Sequence, residues 1–241
     1  MIYNLSEYPI IGHGGTKTVH LINENKVIYK PNPTDGQSLI NIWNRIVDEE
    51  IQMSSLLSKI GILTLKFTKV QIKLNDQIIT THSSVPFSAY IKDGIYIIDT
   101  KNHKSTQWQS SLSIFPENID QYNVNSWLSV MKSYINDVHI LVINRLSLSG
   151  DSLNLAFVKN ENIDIPFIVR IFGFDFASKR SNLDISILNP DEYTIKYMLK
   201  KGAEFAIWEQ LCPKKMFMSK KEQLLYQQLS DEMIKEYYRT I

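Results

Sequence analysis

The sequence has little of what would support a disulfide-stabilised scaffold or a membrane protein. It contains one cysteine, Cys212, among 241 residues, which excludes an internal disulfide framework and fits a reducing compartment. No uninterrupted apolar run approaches the roughly twenty residues that a membrane-spanning helix needs. The N-terminal segment MIYNLSEYPI has neither a basic region nor a long apolar core. We therefore expect no cleavable signal peptide.

An excess of charge of one sign is also lacking. The chain has 26 Lys and Arg against 25 Asp and Glu, and a net charge of +1 argues against a broad surface for nucleic acid. The five histidines show no zinc-binding spacing, and the G-x-S-x-G motif of serine hydrolases is absent. What is present is a hydrophobic fraction of 44%, which suffices for the core of one large domain or of two lobes.

The most informative stretch is GHGGTKTVHLINENKVIYK, at residues 12–30. It is not a Walker A loop, because Thr16 separates Gly15 from Lys17. It is not a Rossmann loop either, because no helical segment follows. Two β-favouring runs flank an Asn-rich turn and predict a hairpin. We therefore expect a glycine loop between strands, which covers a ligand from a sheet.

This order of elements resembles the N-terminal lobe of the protein kinase fold. In the glycine-rich pattern G-x-G-x-x-G-x-V, Gly12, Gly14 and Val19 match. Lys17 replaces the third glycine. The run VIYK, which ends at Lys30, resembles the V-A-I-K strand whose lysine contacts the nucleotide phosphates. The resemblance implies that the ATP-binding residues are Gly12, Gly14, Gly15, Lys17, Val19 and Lys30. An ordinary glycine-rich hairpin with a surface lysine is the alternative.

The segment that follows, residues 38–61, has the periodicity of an amphipathic helix. Glu50 falls within its apolar stripe, where a carboxylate is costly unless a cation meets it. We expect Lys30 to be that cation, because the kinase resemblance implies a strand lysine that a helical glutamate orients. Two alternatives stay open: Glu50 reaches solvent at the edge of the stripe, or Glu49 takes its place.

Two further strands, at residues 69–74 and 77–81, complete the first lobe, and His82 is expected in the loop that links the lobes. The predicted fold class is α+β. It is a bilobal protein kinase-like fold, with a five-stranded antiparallel N-lobe at residues 1–84 and a reduced, mostly helical C-lobe at residues 85–241.

A helix predicted at residues 125–141 precedes the candidate catalytic loop. Gly150-Asp151 resembles the G-D of small-molecule kinases, and Asn154 with the apolar run after it resembles the asparagine and strand of the consensus H-R-D-x-x-x-x-N. Ser149 replaces the usual histidine, and Asn154 follows Asp151 by three residues instead of five. A plain turn between a helix and a strand fits the same residues.

A strand predicted at residues 165–172 runs into Asp175-Phe176-Ala177, which resembles D-F-G. Another register aligns Gly173 with the metal-binding aspartate, but we prefer the one that keeps an acid there. The resemblance implies that Asp175 and Asn154 hold Mg²⁺, for which Mn²⁺ could substitute, and that Asp151 accepts the proton of the substrate hydroxyl.

The activity that the resemblance implies is ATP-dependent transfer of the γ-phosphate to a protein hydroxyl, Ser or Thr in preference to Tyr, including autophosphorylation. Only 64 residues follow Ala177, and no A-P-E motif occurs. This layout resembles the minimal kinases that bacterial pathogens deliver into host cells. We therefore expect a cytoplasmic protein, or one secreted into a host cell, with a host protein as substrate and an activating partner. A pseudokinase that binds without transfer and a small-molecule phosphotransferase are the alternatives.

Overall fold

A computed structural model describes residues 1–13, 17–32, 37–74, 76–98, 114–117, 119–147, 153–162, 164–173, 190–212 and 217–240. For residues 37–41, 98 and 153 it describes the backbone alone. The described residues fall into two compact units. The first contains residues 1–93 and Gly173, and the second contains residues 94–172 and the described residues from 190 onwards.

The first unit is built on a mixed sheet. The strands of this unit are β1 (Ile2–Asn4), β2 (Ile10–His13), β3 (Lys17–Asn23), β4 (Lys26–Pro31), the two-residue β5 (Leu63–Thr64), β6 (Thr68–Leu74) and β7 (Gln77–Ser84). All of them except β5 form the mixed sheet, in the order β1-β6-β7-β4-β3-β2. All neighbours are antiparallel except β1 and β6, which are parallel.

The observed class is α+β, as predicted, but the expectation of a five-stranded antiparallel sheet is wrong. The five predicted strands are β2, β3, β4, β6 and β7, and β1 adds a sixth in parallel orientation. Three residues are too few to show an alternating pattern, so the sequence carried no signal for β1. His82, predicted in a loop, lies inside β7, which continues to Ser84.

The two faces of this sheet carry different side chains, because successive residues of a strand point to opposite faces. The register pairs Thr18 with Lys30 and His20 with Ile28, so these four side chains share one face. On that face Ile28 packs with Leu5 and Ile72 in a hydrophobic cluster. The other face carries Lys17 and Tyr29.

The helix α1 (Gln37–Lys59) packs on the face of the sheet that carries Lys17. It buries side chains at a spacing of three and four residues, which are Trp43, Val47, Glu50, Ser54 and Leu57. The helix ends before Gly61, which has a φ of 84°. Glycine tolerates this left-handed conformation, and it is common just after a helix. The short helix α2 (Phe87–Ile91) completes the first unit.

The second unit contains three helices and a small sheet among its described residues. The helices are α3 (Val124–Ile143), α4 (Glu192–Leu211) and α5 (Lys220–Thr240). They pack against one another. The strands β8 (Ile95–Ile98), β9 (Leu153–Lys159) and β10 (Phe167–Gly173) are adjacent in the order β10-β9-β8. From the sequence, α3 was predicted at residues 125–141 and β10 at residues 165–172.

The helix starts of the second unit follow from their caps. Asn123 Oδ1 accepts hydrogen bonds from the backbone at the start of α3, and Asp191 Oδ1 does so from Thr194 N at 2.7 Å at the start of α4. Ser219 and Glu222 form a reciprocal capping box at the start of α5, with distances of 2.6 and 3.3 Å. Among the described helices, none combines the length and apolar character that crossing a bilayer requires.

Candidate functional site

A buried carboxylate, Glu50, is the centre of the candidate site in the first unit. The α1 helix presents it to the sheet, and 1% of its side chain is exposed. Its Oε1 atom accepts a hydrogen bond from Lys17 Nζ at 2.8 Å. Its Oε2 atom lies 2.7 Å from His82 Nε2. Two basic side chains from two strands therefore meet one carboxylate from a helix.

Lys17 is the first residue of β3, and only Thr16 separates it from the glycine-rich segment of residues 12–15. Its side chain is 12% exposed. Its ammonium lies 5.2 Å from the centroid of the Tyr29 ring, in the geometry of a cation–π contact. The carboxylate and the ring together define where this ammonium lies.

His82 is enclosed by aromatic side chains and has no exposed surface. Its ring stacks on Tyr29, with centroids 4.5 Å apart, and on Trp43 at 5.9 Å. Phe67 meets it edge-on at 4.8 Å. Because these rings fix the plane of the imidazole, they also fix the direction in which Nε2 points. Since Nε2 faces a carboxylate, we assign a proton to this nitrogen.

The electrostatics of the site keep Glu50 ionised. Burial by itself raises the pKa of this carboxyl, because a charged group is poorly solvated in the interior. The positive charge of Lys17 and the hydrogen bond from His82 outweigh this effect and lower the pKa of Glu50 from 4.5 to about 2. The site is therefore an internal carboxylate with its charge compensated, which is the condition for burying one.

The structure brings together two of the predicted site residues, Lys17 and Glu50, and adds His82. The predicted ion pair between Lys30 and Glu50 is wrong, because Glu50 is paired with Lys17 and His82. Lys30 lies opposite Thr18 in the hairpin, so its side chain is on the other face of the sheet.

The expectation for Lys30 came from the kinase resemblance, and the register of the hairpin does not support it. At the turn Asn23 pairs with Lys26, but the register shifts by one residue between Leu21 and Asn23. A shift of one residue moves a side chain to the opposite face. Without this shift, Lys30 would lie opposite Val19 and share the face of Lys17. No pattern in the sequence marks the shift.

The residues at the two ends of the glycine-rich segment are held by polar contacts. Thr18 Oγ1 lies 3.0 Å from His13 Nδ1 and donates a hydrogen bond to Asn32 Oδ1 at 2.5 Å. Gly12 pairs with Val19 across β2 and β3. These contacts link the ends of β2, β3 and β4 around the predicted loop.

Five of the other predicted site residues lie outside the described residues or in the second unit. Gly14, Gly15, Asp151 and Asp175 lie outside the described residues. Asn154 is a buried residue of β9, in the second unit. In the part of the chain that the structure describes, no group of three His, Cys, Asp or Glu side chains is arranged to hold a metal ion.

Comparisons with known proteins leave the geometry as the main basis for a functional assignment. No protein-family model matches the sequence. No curated protein matches it at a significant level.

Proposed function

We propose that this chain is an ATP-dependent phosphotransferase with a protein kinase-like site, which acts on a protein Ser or Thr hydroxyl in preference to Tyr. The observation that carries the proposal is the ion pair between Lys17 and Glu50 beside the glycine-rich segment. A lysine oriented by a helical glutamate is what kinases use at the nucleotide phosphates.

The order of elements in the first unit supports the same proposal. The glycine-rich segment joins β2 to β3, a tight turn leads to β4, and α1 follows before β6 and β7. The kinase resemblance implies this order, with the carboxylate supplied by the helix after the third strand. The glutamate that meets the lysine does lie on that helix.

The chemistry requires little of the protein beyond alignment and neutralisation of charge. Glu50 and Tyr29 fix the position of the Lys17 ammonium before a phosphate binds, so binding costs little further side-chain entropy. On the resemblance, Asp151 accepts the proton of the substrate hydroxyl. Asn154 and Asp175 would hold Mg²⁺ or Mn²⁺, since amide and carboxylate oxygens suit these ions, and the metal would supply further neutralisation of phosphate charge.

The test is incubation of the purified chain with radiolabelled ATP and Mg²⁺, alone, with a general Ser/Thr protein substrate, and with an aminoglycoside or a sugar. We expect label on protein, as phosphoserine or phosphothreonine. Asp151→Ala should remove most of this label, whereas Asp164→Ala, at an exposed aspartate of the β9–β10 turn, should keep it. Extracts of candidate host cells then test for a host substrate and an activating partner.

The other outcomes assign the alternatives. ATP binding without transfer would identify a pseudokinase, and label confined to the small molecule would identify a small-molecule phosphotransferase. Absence of both binding and transfer would contradict the proposal.

A further inference from the structure

The hairpin of β3 and β4 offers two lysines for the phosphate-contacting role, and they lie on opposite faces of the sheet. Lys17 lies opposite Pro31, and Lys30 lies opposite Thr18. The register separates the two ammonium groups, so one carboxylate on α1 serves only one of them. Glu50 serves Lys17.

Lys30 lies on the face where the hydrophobic cluster of Leu5, Ile28 and Ile72 forms. Ile28, two residues before Lys30 on the same strand, is fully buried in that cluster. A lysine at this position is separated by the sheet itself from the helix that supplies Glu50. Glu50 therefore does not orient Lys30, and the carboxylate on α1 that the proposed chemistry uses is paired with Lys17.

Lys17 has the contact with Glu50 that Lys30 does not make. Its partner Glu50 is also in contact with His82 through its other oxygen, so the carboxylate that holds the Lys17 ammonium is itself held in place. An ammonium is a compact point charge and an established ligand for phosphate.

The position of Lys17 in the chain supports the same role. It lies two residues after Gly15, the end of the glycine-rich segment of residues 12–15, and the neighbouring Thr18 contacts His13 of that segment. An ammonium at this point and a loop that covers a nucleotide would act on the same phosphate groups.

We infer that Lys17, and not Lys30, supplies the ammonium that contacts the nucleotide phosphates, with Glu50 and His82 as residues that position it. The inference rests on the proposed phosphotransfer. The charge-neutralising lysine is then on β3, whereas the resemblance implies a lysine on β4.

The test compares Lys17→Met and Lys30→Met for the rate of labelling by radiolabelled ATP and for the dissociation constant of ATP with Mg²⁺. We expect Lys17→Met to lower the rate by about a hundredfold or more, and Lys30→Met by less than about threefold. Lys26→Met, on the same hairpin but beside Tyr3, is the matched control and should act like wild type. Thermal melting of each variant shows whether it is folded.

A variant that keeps the charge protects the test against loss of the fold. Lys17→Arg retains a cation for Glu50, and we expect a folded protein whose rate is still lowered by about tenfold, because a guanidinium does not replace an ammonium at a fitted site. If Lys17→Met is unfolded, the rate of labelling of the folded Lys17→Arg variant tests the role of Lys17.

Two failures are distinguishable. A wild-type chain that neither binds nor transfers phosphate from ATP contradicts the proposed function. An active wild type in which Lys30→Met removes activity, or in which both Lys17 variants keep the wild-type rate, overturns the assignment of Lys17 alone.

Discussion

His82 Nε2 lies 2.7 Å from Glu50 Oε2, and neither side chain is more than 1% exposed. The imidazole is held between the rings of Tyr29 and Trp43. An ion pair at a protein surface contributes little to stability, because water screens it. This contact is in the interior, where a polar atom that loses its neighbour is not rehydrated by bulk water. His82 therefore helps to fix the position of Glu50 at Oε2, the oxygen that Lys17 does not contact.

Substitution of His82 by phenylalanine should separate its polar contact from its packing. The phenyl ring retains the stack with Tyr29 and Trp43 but removes the nitrogen that lies 2.7 Å from Glu50 Oε2. We expect the free energy of unfolding at pH 7 to fall by roughly 1–3 kcal/mol, the cost of leaving a buried carboxylate oxygen without a polar neighbour. Urea denaturation measures this. A variant as stable as wild type would show that the contact does not hold the carboxylate.

The pH dependence of stability should report the ionisation of Glu50. Its folded pKa of about 2 lies below the ordinary value of 4.5, so its contribution is fully present above about pH 4.5 and is lost as the pH falls towards 2. The difference between these values corresponds to roughly 3 kcal/mol. The stability difference between wild type and Glu50→Gln should therefore be large at pH 7 and shrink between pH 5 and pH 2.

Denaturant unfolding of the two proteins at several pH values measures that difference. The matched control is Glu49→Gln, which removes a half-exposed carboxylate one residue earlier on the same helix. Its difference from wild type should stay small throughout. A Glu50→Gln difference that is the same at pH 7 and pH 3 would contradict the lowered pKa.

Much of the local structure followed from the sequence, because the signals are short-range. The turn residues at Asn23–Asn25 and the alternating runs around them predicted the hairpin. The spacing of Trp43 and Leu57 predicted α1 and placed Glu50 on its buried face. These predictions depend on residues within one element, where periodicity decides.

What the sequence did not reveal depends on register and on contacts between distant residues. Lys30 was assigned to Glu50 from the kinase resemblance, and the register of the hairpin, which shifts near Asn23, places the Lys30 side chain on the other face of the sheet. His82 is 32 positions away from Glu50 in the chain and was predicted in a loop. The aromatic cage around it requires residues from β4, α1 and the segment before β6 to converge.

A second buried charge, Asp137 of α3, should make the second unit sensitive to its own partner. Burial raises the pKa of this carboxyl, and Arg170 opposes the shift. Arg170 Nε donates to Asp137 Oδ2 at 2.7 Å, and Ile171 N donates to the same oxygen at 2.9 Å. Arg170→Met should leave Asp137 without its cation and cost roughly 3–5 kcal/mol at pH 7.

The double variant Asp137→Asn with Arg170→Met is the decisive comparison. It removes both charges and keeps a polar side chain beside Ile171 N, so it should be more stable than Arg170→Met alone. Denaturant unfolding of the two single variants and the double variant gives the coupling between the positions. Additive effects of the two substitutions would show that the pair is not coupled.

A relocated lysine tests whether the face of the sheet, and not the identity of the strand, decides which ammonium acts at the phosphates. Pro31 lies opposite Lys17 in the hairpin and therefore shares its face. Adjacent side chains across two strands have Cβ atoms about 5 Å apart, so a lysine at position 31 would lie close to Glu50. In the Lys17→Met background, Pro31→Lys should recover about tenfold of the lost rate of transfer. Lys30 is the internal control: it is present on the same strand in both proteins but on the other face. Labelling by radiolabelled ATP measures the recovery, and thermal melting confirms that the double variant is folded. A folded double variant no faster than Lys17→Met would mean that the helix-facing side of β4 cannot present an ammonium to the phosphates.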